Sequence, residues 1–118
     1  MQKFPKREPP PIGTAKESPG RMHVIARRTL RNFWDTHPDA EQALEAWYHE
    51  AISAQWLNTA DVKRQYGNAS IVGKNRVVFN ICGNKYRLIV HVNYAFQKIF
   101  IRFIGTHAEY DSVNAETV

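Results

Sequence analysis

The residues of this chain best suited to chemistry lie in its last third. Lys85 and Arg87 stand two apart in Lys85-Tyr86-Arg87, and His107 and Tyr110 stand three apart in Thr106-His107-Ala108-Glu109-Tyr110-Asp111. Histidine titrates near neutral pH and can give or take a proton. A tyrosine hydroxyl, ordinarily near pKa 10, needs cations beside it to act as a base, and Arg87 and Lys85 are the available ones. A helical turn after residue 105 would put positions i and i+3 on one side, so His107 and Tyr110 would act together. The same residues have a plainer reading. Thr106 can cap a terminal helix with Glu109 in its first turn, and Tyr110 can lock that helix onto a sheet.

The surroundings favour an anionic substrate. Between Val62 and Ala108 the chain carries Lys63, Arg64, Lys74, Arg76, Lys85, Arg87, Lys98 and Arg102 and no Asp or Glu. That stretch holds a local charge of +8, while the rest, with 8 cations against 11 anions, holds −3, which together make the net +5. A concentrated patch focuses field and gathers polyanion as a mild overall excess does not. Lys63, Arg64, Lys74 and Arg76 are read as contacts to a nucleic-acid backbone, which position without reading sequence. His91 is read as a surface residue of the same basic face. Phe100 and Tyr94 have the chemistry to stack a splayed base, although Phe100 reads more simply as sheet packing.

The elements that must position these residues follow from periodicity. A length of 118 residues, 43% hydrophobic and 23% charged, suits one globular domain. Residues 1–21 hold five of the six prolines and few large apolar side chains. They read as a disordered, basic, Pro-rich extension upstream of a domain at 22–118, with Met22 as the natural start. A basic arm that touches nucleic acid is the alternative. His23 to Ala26 makes a short strand. Arg27 to Thr36 makes a helix with Leu30, Phe33 and Trp34 at i, i+3, i+4. His37-Pro38 ends it, and Asp39 with Gln42 has capping-box spacing for a second helix running to about Trp56. Asp61 to Tyr66 adds a helical turn. Arg76–Cys82, Lys85–Val92 and Gln97–Gly105 form a β-meander, with Gly83-Asn84 as a type II′ turn.

Turn length then sets register. The first turn pairs Asn80 with Arg87. A four-residue loop at 93–96 pairs Val92 with Gln97 and Arg87 with Arg102. One face becomes apolar, with Val77, Phe79, Ile81, Tyr86, Leu88, Val90, Val92, Ile99, Ile101 and Phe103. Its cover is the pair of amphipathic helices. The other face carries Arg76, Arg87, His91 and Arg102. Two arginines facing each other call for something negative between them, and a phosphate fits bidentately.

The blocks Gly83-Asn84-Lys85-Tyr86-Arg87-Leu88 and Gly105-Thr106-His107-Ala108-Glu109-Tyr110-Asp111, at this spacing, resemble the HigB-type toxins. These belong to the RelE-like superfamily of bacterial mRNA interferases, and the likeness runs from about Met22 to the end. It implies an α+β, RelE-like fold with the N-terminal helices on one face of a small antiparallel sheet and RNA on the other. It implies the toxin of a type II toxin–antitoxin system, an endoribonuclease that cuts mRNA, commonly on the translating ribosome, without a cofactor or metal. The cognate antitoxin would be HigA-like, with a helix-turn-helix domain, and operator DNA would be met only through it. The resemblance makes Arg87, which matches the family's strand arginine, the phosphate clamp. Arg102 is a second clamp candidate from its place on the basic face, and Lys85, His107 and Tyr110 are the further catalytic candidates. Base and acid are left unassigned. The competing reading is a non-catalytic RNA- or ribosome-binding module on the same basic face.

No apolar run approaches the ~18 residues of a membrane helix, so the expected location is the cytoplasm. Cys82 is the only cysteine, which excludes an internal disulfide. His23, His37 and His49 have no zinc-ligand spacing with any cysteine or second histidine.

Overall fold

The computed structural model describes residues 22–118; the expected Pro-rich extension at 1–21 lies outside the described residues. The elements run β1 (His23–Ile25), α1 (Arg27–Thr36), a 3-10 turn (Pro38–Ala40), α2 (Glu41–Ser53), α3 (Thr59–Gln65), β2 (Ser70–Val72), β3 (Arg76–Ile81), β4 (Tyr86–Asn93), β5 (Lys98–Thr106) and α4 (His107–Tyr110). The strands form one sheet in the order β1-β5-β4-β3-β2. β2 to β5 pair antiparallel, but β1 lies parallel to β5, so the sheet is mixed rather than wholly antiparallel. The fold class is α+β as expected. β2, three residues long, had too little pattern to announce itself.

The helices cover one face of the sheet, as the periodicity requires. Leu30 of α1 and Leu44, Trp47 and Ala51 of α2 are buried against Val77, Phe79, Ile81, Leu88, Val90, Val92 and Ile99. Phe79 is the centre of an aromatic cluster, with Tyr66, Trp47 and Trp56 ring centroids at 5.0, 5.4 and 6.0 Å. Asn58 caps α3 by accepting the Asp61 amide at 3.0 Å.

The β3–β4 turn falls where its sequence directs. β3 ends at Ile81 and β4 begins at Tyr86, however, so Cys82, at φ +58°, and Lys85 belong to the turn rather than to the strands as expected. Gly83 takes φ +67°, which the first position of a II′ turn demands. The Lys85 amide closes the turn on the Cys82 carbonyl at 3.3 Å, and Asn80 pairs with Arg87.

Asp39 does something other than expected. α2 has no side-chain cap, and the 3-10 turn feeds directly into it. The Asp39 carboxylate instead accepts the Tyr86 hydroxyl at 2.6 Å and pairs with Lys85, pinning the helix junction to the β3–β4 turn. Those two bonds, that from Lys85 first, hold its pKa below the ordinary aspartate value. A carboxylate depressed by folding stabilises above its unfolded pKa and loses that contribution as pH falls through the folded one. Asp39→Asn is therefore expected to lower the urea midpoint at pH 7. The gap from wild type should narrow as pH drops below about 3.9. A gap independent of pH would show that the charge on Asp39 contributes nothing.

The β4–β5 pairing corrects the expected register. The loop has the expected four residues but spans 94–97, because Asn93 still pairs with Lys98. The Asn93 side chain accepts the Phe96 amide at 3.0 Å and Gln97 takes φ +55°, which together shift the turn by one residue. A bulge then follows. Val90 pairs with Ile101 and Ile89 with Phe103, leaving Arg102 as the extra residue. Alternation flips beyond it. Ile104, opposite Leu88, packs against the core, while Phe103, opposite Ile89, goes to the other face.

Candidate active site

The bulge overturns the expected Arg87–Arg102 pair. Arg87 stands opposite Gly105, and Arg102 is displaced three residues along β5. The two arginines therefore belong to different parts of the face turned away from the helices.

Around Arg87 the geometry is compact. α4 begins as soon as β5 ends, held by a complete capping box: the Glu109 amide donates to Thr106 Oγ1 at 3.2 Å and the Thr106 amide to Glu109 Oε1 at 2.9 Å. Gly105 makes room for this closure, since a Cβ there would lie 2.6 Å from the Phe103 ring and 2.7 Å from Glu109 Oε1. The cap and the chemistry are thus not alternatives. Thr106 and Glu109 fix the helix, and the helix presents His107 and Tyr110. The Arg87 guanidinium carbon lies 5.8 Å from the Tyr110 ring centroid, within cation–π range. Arg87 Nη1 donates to the Asn84 carbonyl at 3.0 Å, so the group is anchored while other N–H donors remain for a ligand.

Asp111 was missed as a site residue. Its Oδ2 lies 3.4 Å from His107 Nδ1, one helical turn on. A carboxylate beside one ring nitrogen leaves the other nitrogen as the one to face a ligand. The i, i+4 spacing of His107 and Asp111 was the signal in the sequence.

Lys85 is not drawn into this group. It pairs with Asp39, and that hydrogen bond raises its pKa. Lys63 is also committed elsewhere: its ammonium donates to the Gly67 and Ala69 carbonyls, each at 2.7 Å, closing the loop after α3. Arg64 pairs with Asp61 at 2.7 Å. Tyr94 packs against the core, its hydroxyl buried and, among the described residues, without a partner, so it does not stand ready to stack a base. Phe100 stacks on His91 at 5.8 Å.

The remaining expected residues, Arg76, Lys74, His91 and Arg102, gather at the far end of the same face. Arg76 pairs directly with His91 across β3 and β4. The imidazole pKa is lowered by burial first, then by Arg76 and Arg102. Arg76 Nη2 and Arg102 Nε both donate to the main-chain oxygen of Val118, at 2.9 and 3.2 Å. Residues 111–118 must therefore return across this face. Val78 and Ile89 are buried there although they point away from the helical core.

Comparison with known proteins places the chain in a family. A family model described as HigB toxin, the RelE-like toxic component of a toxin–antitoxin system, matches residues 40–113. The chain belongs to the HigB toxin family. The matched span takes in α2, α3, strands β2 to β5 and α4. The mRNA interferase toxin HigB of Escherichia coli K12 is 28% identical over 97 residues, covering 80% of this chain and 92% of the relative. The mRNA interferase HigB of Shigella flexneri gives the same values. That of Escherichia coli O6:H1 is 23% identical over 94 residues, covering 78% and 91%. Among the described residues no helix is long and apolar enough to cross a membrane.

Proposed function

We propose that this HigB family member cleaves mRNA through the group formed by Arg87, His107, Tyr110 and Asp111. The observation that carries the reading is the seating of Tyr110 under the Arg87 guanidinium on a helix turn that also holds the His107–Asp111 pair. RNA brings its own nucleophile, the ribose 2′-OH. The protein must then supply a cation for the charge building on the phosphate, and groups to take and return a proton. Arg87 binds the reacting phosphate as a bidentate fork. His107, oriented by Asp111, moves the proton at its outward nitrogen. Tyr110 sits beside the guanidinium, where its hydroxyl can donate to the phosphate or serve the second proton transfer. The names of the relatives support mRNA as substrate. Translating ribosomes as the site of cleavage, and a HigA-like helix-turn-helix antitoxin as the neutralising partner, extend the same reading.

The test is induced expression of the chain in a bacterium, with mapping of mRNA 5′-ends. His107→Ala is run beside it. New ends within translated frames, reduced by about 10²–10⁴-fold in the variant, are expected. New ends spread equally through untranslated RNA would remove the ribosome from the reading. Growth arrest without new ends would remove cleavage.

A further inference from the structure

Arg76 and Arg102 form a second site on the same face that the chemistry at Arg87 does not use. Their guanidinium groups converge on one main-chain oxygen, that of Val118. Among the described residues no Asp or Glu side chain pairs with either guanidinium, and Arg76 Nε is buried with no hydrogen-bond partner. Two cations sharing one acceptor, with a buried N–H still unsatisfied, leave donors to spare in a partly desolvated setting. His91 completes the wall, paired with Arg76 and stacked on Phe100. Lys74 lies on the adjoining turn, its carbonyl accepting Arg76 Nη1 at 3.1 Å.

A phosphodiester presents oxygen atoms that can accept from both guanidinium groups as the Val118 oxygen does, one hydrogen bond from each. His91 lies four residues from Arg87 on β4, which is about 13 Å along a strand. A single strand of RNA whose reacting phosphate sits at Arg87 can therefore reach this second site with a neighbouring phosphate a few nucleotides away. We infer that Arg76 and Arg102 are a second phosphodiester subsite, occupied by the Val118 oxygen until RNA displaces residues 113–118. The inference rests on RNA being the substrate, as proposed above. It assigns the returning segment a role as a strap that competes with longer RNA.

The test uses the full chain and non-cleavable 2′-O-methyl oligoribonucleotides, a dinucleotide with one phosphate and a pentanucleotide with four, titrated by NMR. The double variant Arg76→Gln/Arg102→Gln should weaken the pentanucleotide by about 10–100-fold, at least five times more than the dinucleotide. The salt slope for the pentanucleotide should fall by about 0.7 for each phosphate no longer held. Arg102→Gln alone, at an exposed position, should show the same preference at smaller size and guards against misfolding of the double variant. Amide exchange in residues 113–118 should quicken when the pentanucleotide binds. Equal weakening of both oligonucleotides, or no weakening of either while the wild type still cleaves mRNA, overturns the subsite alone. Unchanged or slower exchange at 113–118 overturns the strap. Loss of all RNA binding and cleavage in the wild type overturns this inference together with the reading it rests on.

Discussion

Replacing Arg87 by alanine is expected to lower mRNA cleavage by about 10²–10³-fold, the usual loss when one preorganised donor to a developing oxyanion is removed. The position argues for an effect on chemistry rather than on folding. Arg87 is only partly buried, and its hydrogen bonds go to the Asn84 and Tyr86 carbonyls near the β3–β4 turn. Losing such bonds costs about 0.5–1.5 kcal/mol each, which a folded domain tolerates. The loss should therefore appear in single-turnover cleavage, with the urea midpoint close to wild type. Arg87→Lys is expected to recover part of the rate, because an ammonium keeps the charge but not the two-pronged geometry. Cleavage by Arg87→Ala within about threefold of wild type, in a protein that still folds, would move the reacting phosphate away from β4.

The parts of this site that the sequence made legible are those fixed by short-range rules. Gly83-Asn84 dictates a turn, the turn dictates the Asn80–Arg87 pairing, and alternation along β4 then puts Arg87 on the face opposite Leu88. The capping box is equally local: Thr106 and Glu109 are three apart and close on each other. The Arg87–Arg102 pairing failed because two small events added up. Asn93 turned its side chain inward to accept the Phe96 amide, which moved the loop by one residue. Arg102 was then squeezed out as a bulge, which reversed the faces of Phe103 and Ile104. The run Ile101-Arg102-Phe103-Ile104 has apolar residues at both parities, so it fits either face and names neither. Asp39 was misjudged for a different reason. Its partners Lys85 and Tyr86 lie 46 and 47 residues away, and a local capping rule cannot compete with a carboxylate offered a lysine and a phenol at once. The return of residues 111–118 across the basic face also left no periodic trace. It depends on two arginines reaching one main-chain oxygen, an interaction between segments that share no pattern.

The other large effect lies one residue from the basic face. Phe79→Ala is expected to cost about 3–5 kcal/mol, a large share of the 5–15 kcal/mol that typically holds a domain together. Phe79 is 2% exposed and is the ring on which Trp47, Trp56 and Tyr66 converge from α2, the segment after it and the end of α3. Removing it opens a cavity whose walls are stiff aromatic rings, so collapse restores little of the packing. Tyr66 has a second tie, its hydroxyl donating to Glu50, and burial with that carboxylate pushes its pKa up. That bond holds the ring in place and makes refilling of the cavity harder still. Asn80, the next residue on β3, points to the opposite face and pairs with Arg87. Asn80→Ala is expected to change the urea midpoint by far less. Urea unfolding of the two variants side by side tests whether β3 divides its work by parity. If both lost stability equally, the face bearing Arg87 would be part of the core, and cleavage defects there would have to be read as folding defects. If only Phe79→Ala does, defects at Arg76, Arg87 and Arg102 can be read as losses of binding and chemistry.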